Sequence, residues 1–421
     1  MKCDVLVVGG GPAGLICAER LAKAGLSVVV ADKNETPNKD KPCGGMLTER
    51  ALREFRISPK VVEREIYGVL VALREGCFHV DYNERVGGNV DRSGLGRYLA
   101  ERVEEAGGTI VTKERILNVY VDDDYVKGTG KRDYISEFVV FADGVHSLAR
   151  RVMGWRWRKD QLGLCVQYLV RMNEERVNEV FGYRNHFYYG SDISPFGYGW
   201  MFPRRNVVVI GVGALLSKVT SPLKKYLDYL FSKHPLSSPK LRGGEILRFE
   251  AALVPLSGIM GKISGWRTIV VGDAAGAVSS ITGEGMYYGM KSGLIGAEVV
   301  VKAYEEENPS EKRMEQYDRR LKAEIGSDMK WSLWLRNFFM ERRNLWIRDF
   351  FIILTCIVLG IILGSPYWSM DITTLFDYFI CLVLLIGFII ASIFFHLGGF
   401  EVGPALAKRR KMIFTILALA I

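Results

Sequence analysis

The sequence predicts an α/β fold built on a dinucleotide-binding unit, with an antiparallel-sheet domain inserted into it and an apolar helical hairpin at its C-terminal end. Three observations predict this. A buried-strand pattern runs straight into Gly9-Gly10-Gly11-Pro12-Ala13-Gly14 within the first residues. A second strand–glycine turn returns only at Val270–Gly276. From about Phe350 the composition turns strongly apolar.

The run Cys3–Gly9 is short and, Asp4 apart, apolar, as expected for a strand buried on both faces. Ala13–Ala24 carries Leu15, Ile16, Ala18 and Leu21 on one side and meets Gly25, a helix stop. Leu26–Ala31 is a second buried strand, which completes a βαβ opening. Asn34–Gly45 is polar and rich in proline and glycine and reads as a loop. Ser93–Ala106 has helical spacing. Short strands are expected at 109–111, 116–121, 125–129 and 138–142. Between about 155 and 255 short alternating runs dominate and helical patterns are few, which predicts an antiparallel sheet. The expected domains are 1–154 (nucleotide-binding, first part), 155–262 (sheet), 263–348 (nucleotide-binding, second part) and 349–421 (membrane anchor).

The chain has 421 residues and a formal charge of +9. That length exceeds one hydrophobic core. The positive charge gathers beside the apolar end, at Arg336, Arg342, Arg343 and Arg348 and again at Lys408–Lys411. This favours a juxtamembrane role, and no nucleic-acid partner is expected. Residues 350–364 and 379–397 are the expected spans, and their basic outer flanks predict both ends on the cytoplasmic side. The expected location is therefore the membrane, with the catalytic domain cytoplasmic. Seven cysteines without a CxxC pair point to reduced thiols. No metal site is expected.

Each glycine of the first turn has a physical purpose. Gly9 permits the turn, Gly11 lets a pyrophosphate approach the backbone, and Gly14 lets the helix pack on the strand. Ala13 opens a helix whose N-terminus favours phosphate. Asp32, followed by Lys33, ends the second strand where a carboxylate accepts from ribose hydroxyls. The second turn combines Gly272, Asp273 and Gly276 with Gly283-Glu284-Gly285-Met286. Two turns so far apart fit one long ligand, and the helix opening at Met286 would stabilise negative charge on a reduced ring. Asp143-Gly144 with Ser147 and Arg150 makes a third turn.

These motifs resemble the glutathione-reductase-type FAD-binding fold, in the branch shared with aromatic hydroxylases. That resemblance implies FAD as cofactor, with Arg92 near the pyrophosphate and Ile116 at the adenine. Two further stretches narrow it. Pro195-Phe196-Gly197-Tyr198-Gly199-Trp200-Met201-Phe202-Pro203 is similar to the PxxYxWxFP signature of geranylgeranyl reductases, and Cys43-Gly44-Gly45 to that family's cysteine–glycine loop. Met46 departs from the glycine that many members carry.

On a strand, Tyr198, Trp200 and Phe202 face one side. They either wall a hydrocarbon channel or form an ordinary core face. The resemblance implies reduction of isolated C=C bonds in the geranylgeranyl chains of a membrane glycerophospholipid of archaeal type. Cys43, Tyr198 and Trp200 are then the candidate catalytic residues, and Pro195, Tyr198, Trp200, Phe202 and Pro203 contact substrate. Cys43 is either an acid or a packing residue. An external electron donor (ferredoxin, deazaflavin or nicotinamide) is expected, with a geranylgeranyl lipid and a bilayer as partners. The competing readings are a flavin-dependent monooxygenase, a reductase of geranylgeranyl diphosphate or of a chlorophyll tail, and a flavin-loaded lipid-binding membrane protein.

Overall fold

The computed structural model describes residues 1–38, 42–73 and 76–341, with side chains to residue 337. Its first sheet has eight strands. Lys2–Val8 lies at the centre, parallel to Val28–Ala31 on one side and to Asp133–Phe141 on the other. Thr109–Val111 extends the sheet beyond Val28–Ala31, and Thr268–Val270 beyond Asp133–Phe141. The returning strand is therefore hydrogen-bonded into the same sheet as the N-terminal one. Val5, Leu6 and Val7 have no exposed surface, which explains their unbroken apolar run.

Pro12–Lys23 forms the first helix. Gly25, at φ +89°, follows its end and donates to the Ala22 carbonyl at 2.9 Å. Met286–Glu305 packs against this helix. The C-terminal helix Glu311–Glu341 then buries Met314, Tyr317, Leu321 and Ile325 along one stripe.

The second sheet has seven strands in the order Glu245–Pro255, Leu162–Arg171, Val207–Leu215, Gly197–Pro203, Arg184–Tyr188, Gly68–Leu73 and Gly76–Asp81. It is antiparallel except where Arg184–Tyr188 runs parallel to Gly68–Leu73. The predicted segment 155–262 therefore understates this sheet, because residues 68–81 from the first part of the chain supply two of its strands. Parallel pairing between segments so distant in the sequence leaves no local trace.

The predicted scarcity of helices in this region is also corrected. Glu174–Phe181 and Leu223–Ser232 cover one face of the sheet, where Val177, Phe181, Leu227 and Leu230 pack with Met201, Val208, Ile210 and Val212. A small third sheet, Met46–Thr48, Gly87–Val90 and Val62–Ile66, follows the cysteine–glycine loop. Among the described residues no helix is long and apolar enough to cross a membrane. The expected spans at 350–364 and 379–397 lie outside the described residues.

Candidate active site

The first glycine turn is shaped as a cradle. Gly9 sits at φ +106°. A Cβ on Gly14 would lie 2.2 Å from the Gly9 carbonyl oxygen, so the helix and strand touch through hydrogen alone. At Gly11 the nearest atom to such a Cβ is 4.0 Å away, so the backbone there faces open space. Asp32 accepts from the Gly10 amide at 2.6 Å and from the Asn34 amide at 2.8 Å, one on each carboxylate oxygen. Burial pushes its carboxyl above the usual range, and the two amides pull it back. Each oxygen keeps a lone pair for a hydroxyl. Lys33 beside it is exposed.

Arg92 is the first residue of the helix Arg92–Glu105, one position earlier than predicted, and Asp91 caps that helix by accepting from Gly94 N at 2.8 Å. Arg92 is 6 % exposed. It donates from Nη2 to Asn38 Oδ1, while its Nε is buried without a partner among the described residues. A buried guanidinium N–H is costly to leave unpaired. It fits a pyrophosphate oxygen, as the resemblance implies.

Asp143 likewise keeps Oδ1 buried and unpartnered, while Oδ2 accepts from Leu148 N at 2.7 Å. Burial pushes its carboxyl upward. Ile116 is 6 % exposed and precedes the strand Asn118–Val121 rather than opening it. Asp273 lies in the turn Gly272–Ala275, with Oδ1 3.3 Å from where Gly285 would carry a Cβ. Gly285 caps the helix that begins at the buried Met286.

The two glycine turns meet, since a Cβ on Gly272 would lie 2.9 Å from that of Ala13. Two phosphate-friendly turns in contact, with unpaired buried Arg92 and Asp143 atoms close in sequence to their strands, fit one extended dinucleotide such as FAD.

The aromatic row lies on the sheet face opposite the two covering helices. Gly199 and Met201 point toward the helices, where a Cβ on Gly199 would come 2.9 Å from Leu230. Tyr198, Trp200 and Phe202 point the other way. This removes the reading of the three rings as the ordinary core under those helices.

Tyr198 donates its hydroxyl to the Thr282 carbonyl at 2.5 Å, in the second glycine turn. Phe202 lies against Gly44, where a Cβ would sit 2.3 Å from its ring. Trp200 lies flat over Gly211, with a would-be Cβ 2.2 Å from Cζ2. The strand is also tied at its far end. Arg204 pairs with Asp91 at 2.9 Å, and the Pro203 carbonyl accepts from Asn89 at 2.7 Å. Pro195 is half-buried at the entry to the strand.

Three residues join this wall that the sequence reading did not single out. Phe187 sits 5.3 Å from Phe202 and 6.0 Å from Tyr198, and Tyr189 sits 5.8 Å from Tyr198, by ring centroids. Their alternation on the neighbouring strand was the available signal. Cys165 is the third. Cys43 is half-buried, and its thiol lies within electrostatic reach of Tyr198 and Cys165. Burial drives the Tyr198 hydroxyl far above the ordinary phenol range and the Cys165 thiol up to about 12. Both groups therefore stay protonated. The arrangement is an aromatic surface that touches both glycine-bearing loops. The Met46 position opens the small third sheet, pairing with Asn89.

Residues 2–209 match the family of FAD binding domains. The digeranylgeranylglycerophospholipid reductase of Methanocaldococcus jannaschii is 30% identical over 330 residues, covering 76% of this chain and 82% of that protein. A chloroplastic geranylgeranyl diphosphate reductase from Oryza sativa subsp. japonica is 30% identical over 320 residues, covering 71% of this chain and 66% of that one. A solved structure described as geranylgeranyl bacteriochlorophyll reductase-like, from Thermoplasma acidophilum, superposes with a TM-score of 0.75 at 23% identity, over 89% of this chain and 95% of that one.

Proposed function

The chain belongs to the geranylgeranyl reductase family of FAD-dependent oxidoreductases, and from that premise we propose that it saturates isolated C=C bonds in the geranylgeranyl chains of a membrane glycerophospholipid. The observation that carries the reading is the contact of Tyr198 with Thr282 and of Phe202 with Gly44. Those contacts hold an apolar aromatic face against the two loops that border a flavin.

Arg92, Asp32, the Gly9–Gly14 turn and the Asp273–Met286 turn would hold FAD. When bound and reduced, FAD supplies hydride. The remaining demands fall on the protein. An isolated alkene has no carbonyl to polarise, so as its second carbon takes a proton, positive charge develops on the carbon that takes the hydride and must be met in a dry site. The faces of Tyr198 and Trp200 meet it, each contributing about 0.5–2 kcal/mol. A hydrocarbon chain loses little by leaving lipid for such a wall.

The Tyr198 proton is committed to the Thr282 carbonyl, so Tyr198 acts as wall and brace. We assign the proton for the second carbon to the Cys43 thiol, which lies within electrostatic reach of Tyr198 and Cys165. The basic flanks and apolar runs beyond Phe350 support attachment to a bilayer with the catalytic part cytoplasmic.

The test is anaerobic. Flavin bleached by dithionite regains its absorbance when geranylgeranyl lipid is added. Colour that returns only with oxygen, together with a hydroxylated product, would instead identify a monooxygenase.

A further inference from the structure

The end of the C-terminal helix carries surface chemistry that alkene reduction does not use. Trp331 and Trp334 stand off its buried stripe in edge-to-face contact, ring centroids 5.6 Å apart, and are 64% and 53% exposed. A pair of indoles in water is a large apolar area for a folded surface.

The opposite side of the same turns is anchored. Ser332 accepts from Ser280 N at 3.1 Å. Arg336, 7% exposed, donates to the Leu256 carbonyl at 2.5 Å and the Asp160 carbonyl at 3.2 Å. The bond to Asp160 places the end of the basic stretch Arg156-Trp157-Arg158-Lys159-Asp160 beside the helix end. Arg151, Arg156, Arg158 and Lys159 are all exposed. Arg158 is paired with Asp160, and Arg151 donates to Asn118, whereas Arg156 and Lys159 have no ion-pair or hydrogen-bond partner among the described residues.

We infer that this face is the surface on which the folded body seats against an anionic bilayer, with the Trp331 and Trp334 rings at headgroup level and the cations of residues 156–159 against lipid phosphates. The inference rests on the bilayer attachment proposed above. Its occupant follows from two features together. Indoles paired with lysine and arginine suit the membrane interface. The helix also leads on in sequence to Arg342, Arg343 and Arg348 and then to the apolar run from Phe350. An acidic soluble protein would match the charge but would not account for that continuity.

The test uses the full-length, flavin-loaded protein with vesicles of phosphatidylcholine, alone or mixed with phosphatidylglycerol, carrying acyl chains brominated near the headgroup. Flotation reports attachment, indole quenching reports the surface, and retained flavin absorbance reports the fold. The expected result is flotation of wild type and variants alike, with quenching of wild type that rises with phosphatidylglycerol and falls with salt. In W331F/W334F most of that composition-dependent quenching is gone. In R156E/K159E quenching falls to the level of phosphatidylcholine alone.

Equal quenching in wild type and both variants, with flotation intact, overturns the docking face while leaving attachment standing. Absence of flotation in every lipid overturns attachment and the docking face together, without touching the chemistry. If R156E/K159E keeps wild-type quenching but slows flavin reduction by an acidic soluble electron donor, the face belongs to a protein and the inference is overturned.

Discussion

The Tyr198 hydroxyl donates to the Thr282 carbonyl oxygen at 2.5 Å, joining the start of the aromatic strand to the second glycine turn. The bond ties the second sheet to that loop and fixes how far the ring wall stands from the helix that opens at Met286. Thr282 is exposed, so removing the hydroxyl loses only the net worth of one hydrogen bond, about 0.5–1.5 kcal/mol. Y198F is therefore expected to keep its flavin and to slow lipid reduction roughly tenfold. Single-turnover reoxidation of the reduced flavin by lipid measures this directly.

Arg92 offers an unpaired buried Nε beside the first turn, and Asn38 holds its other end. A charge-assisted contact with a pyrophosphate is worth about 1.5–3 kcal/mol. R92A is expected to weaken FAD binding by roughly 10- to 100-fold. Equilibrium dialysis of FAD against the apoprotein reads the change, and unchanged affinity would remove Arg92 from the cofactor site.

Gly211 has space for no side chain, because Trp200 lies on it. G211A forces the indole away from its place at an overpacking cost of about 1–3 kcal/mol. The expected outcome is a folded, yellow protein that retains FAD and loses most of its lipid reduction. Loss of flavin in G211A would mean that this strand supports the cofactor rather than the substrate.

His186 is buried beneath the helices of the second sheet, 3.2 Å from the Lys240 ammonium, and burial with that cation pushes its pKa down to about 2. The unfolded value is about 6.5. The folded state thus holds His186 neutral where the unfolded chain takes up a proton. Its contribution to stability is present above about pH 6.5 and is lost as pH falls from there toward 2, at up to about 1.4 kcal/mol per pH unit. Denaturant unfolding from pH 7 to 5 is expected to show a shallower loss in H186Q than in wild type.

Much of the first sheet was legible in the sequence because Val5–Val8 and Val28–Ala31 are buried on both faces, which forces continuous apolar runs. The glycine turns were legible because backbone contact leaves no room for a Cβ at Gly14. The aromatic alternation of residues 198–202 gave the face shared by the rings, but not what lay opposite it. The contacts of Trp200 with Gly211 and of Phe202 with Gly44 depend on strand register and on the meeting of two sheets, which no local pattern encodes. Residues 68–81 fell within the expected nucleotide-binding part, 1–154, because their pairing with residues 184–188 is equally non-local. Helices 174–181 and 223–232 are short, and their apolar stripes are hard to separate from neighbouring strands. The donation from Arg336 to Asp160 joins residues far apart in the chain, so no local pattern relates the basic segment to the tryptophan pair.

The central claim is that the ring wall between the two flavin loops is where alkenes are saturated. Mass spectrometry of a geranylgeranyl glycerophospholipid, incubated without oxygen with the dithionite-reduced holoprotein, tests it most directly. The account predicts lipid that gains two hydrogens per step, with the gain nearly absent in G211A and slowed in C43A although both variants keep their flavin. Lipid of unchanged mass beside wild-type protein, or equal saturation by wild type and G211A, would contradict it.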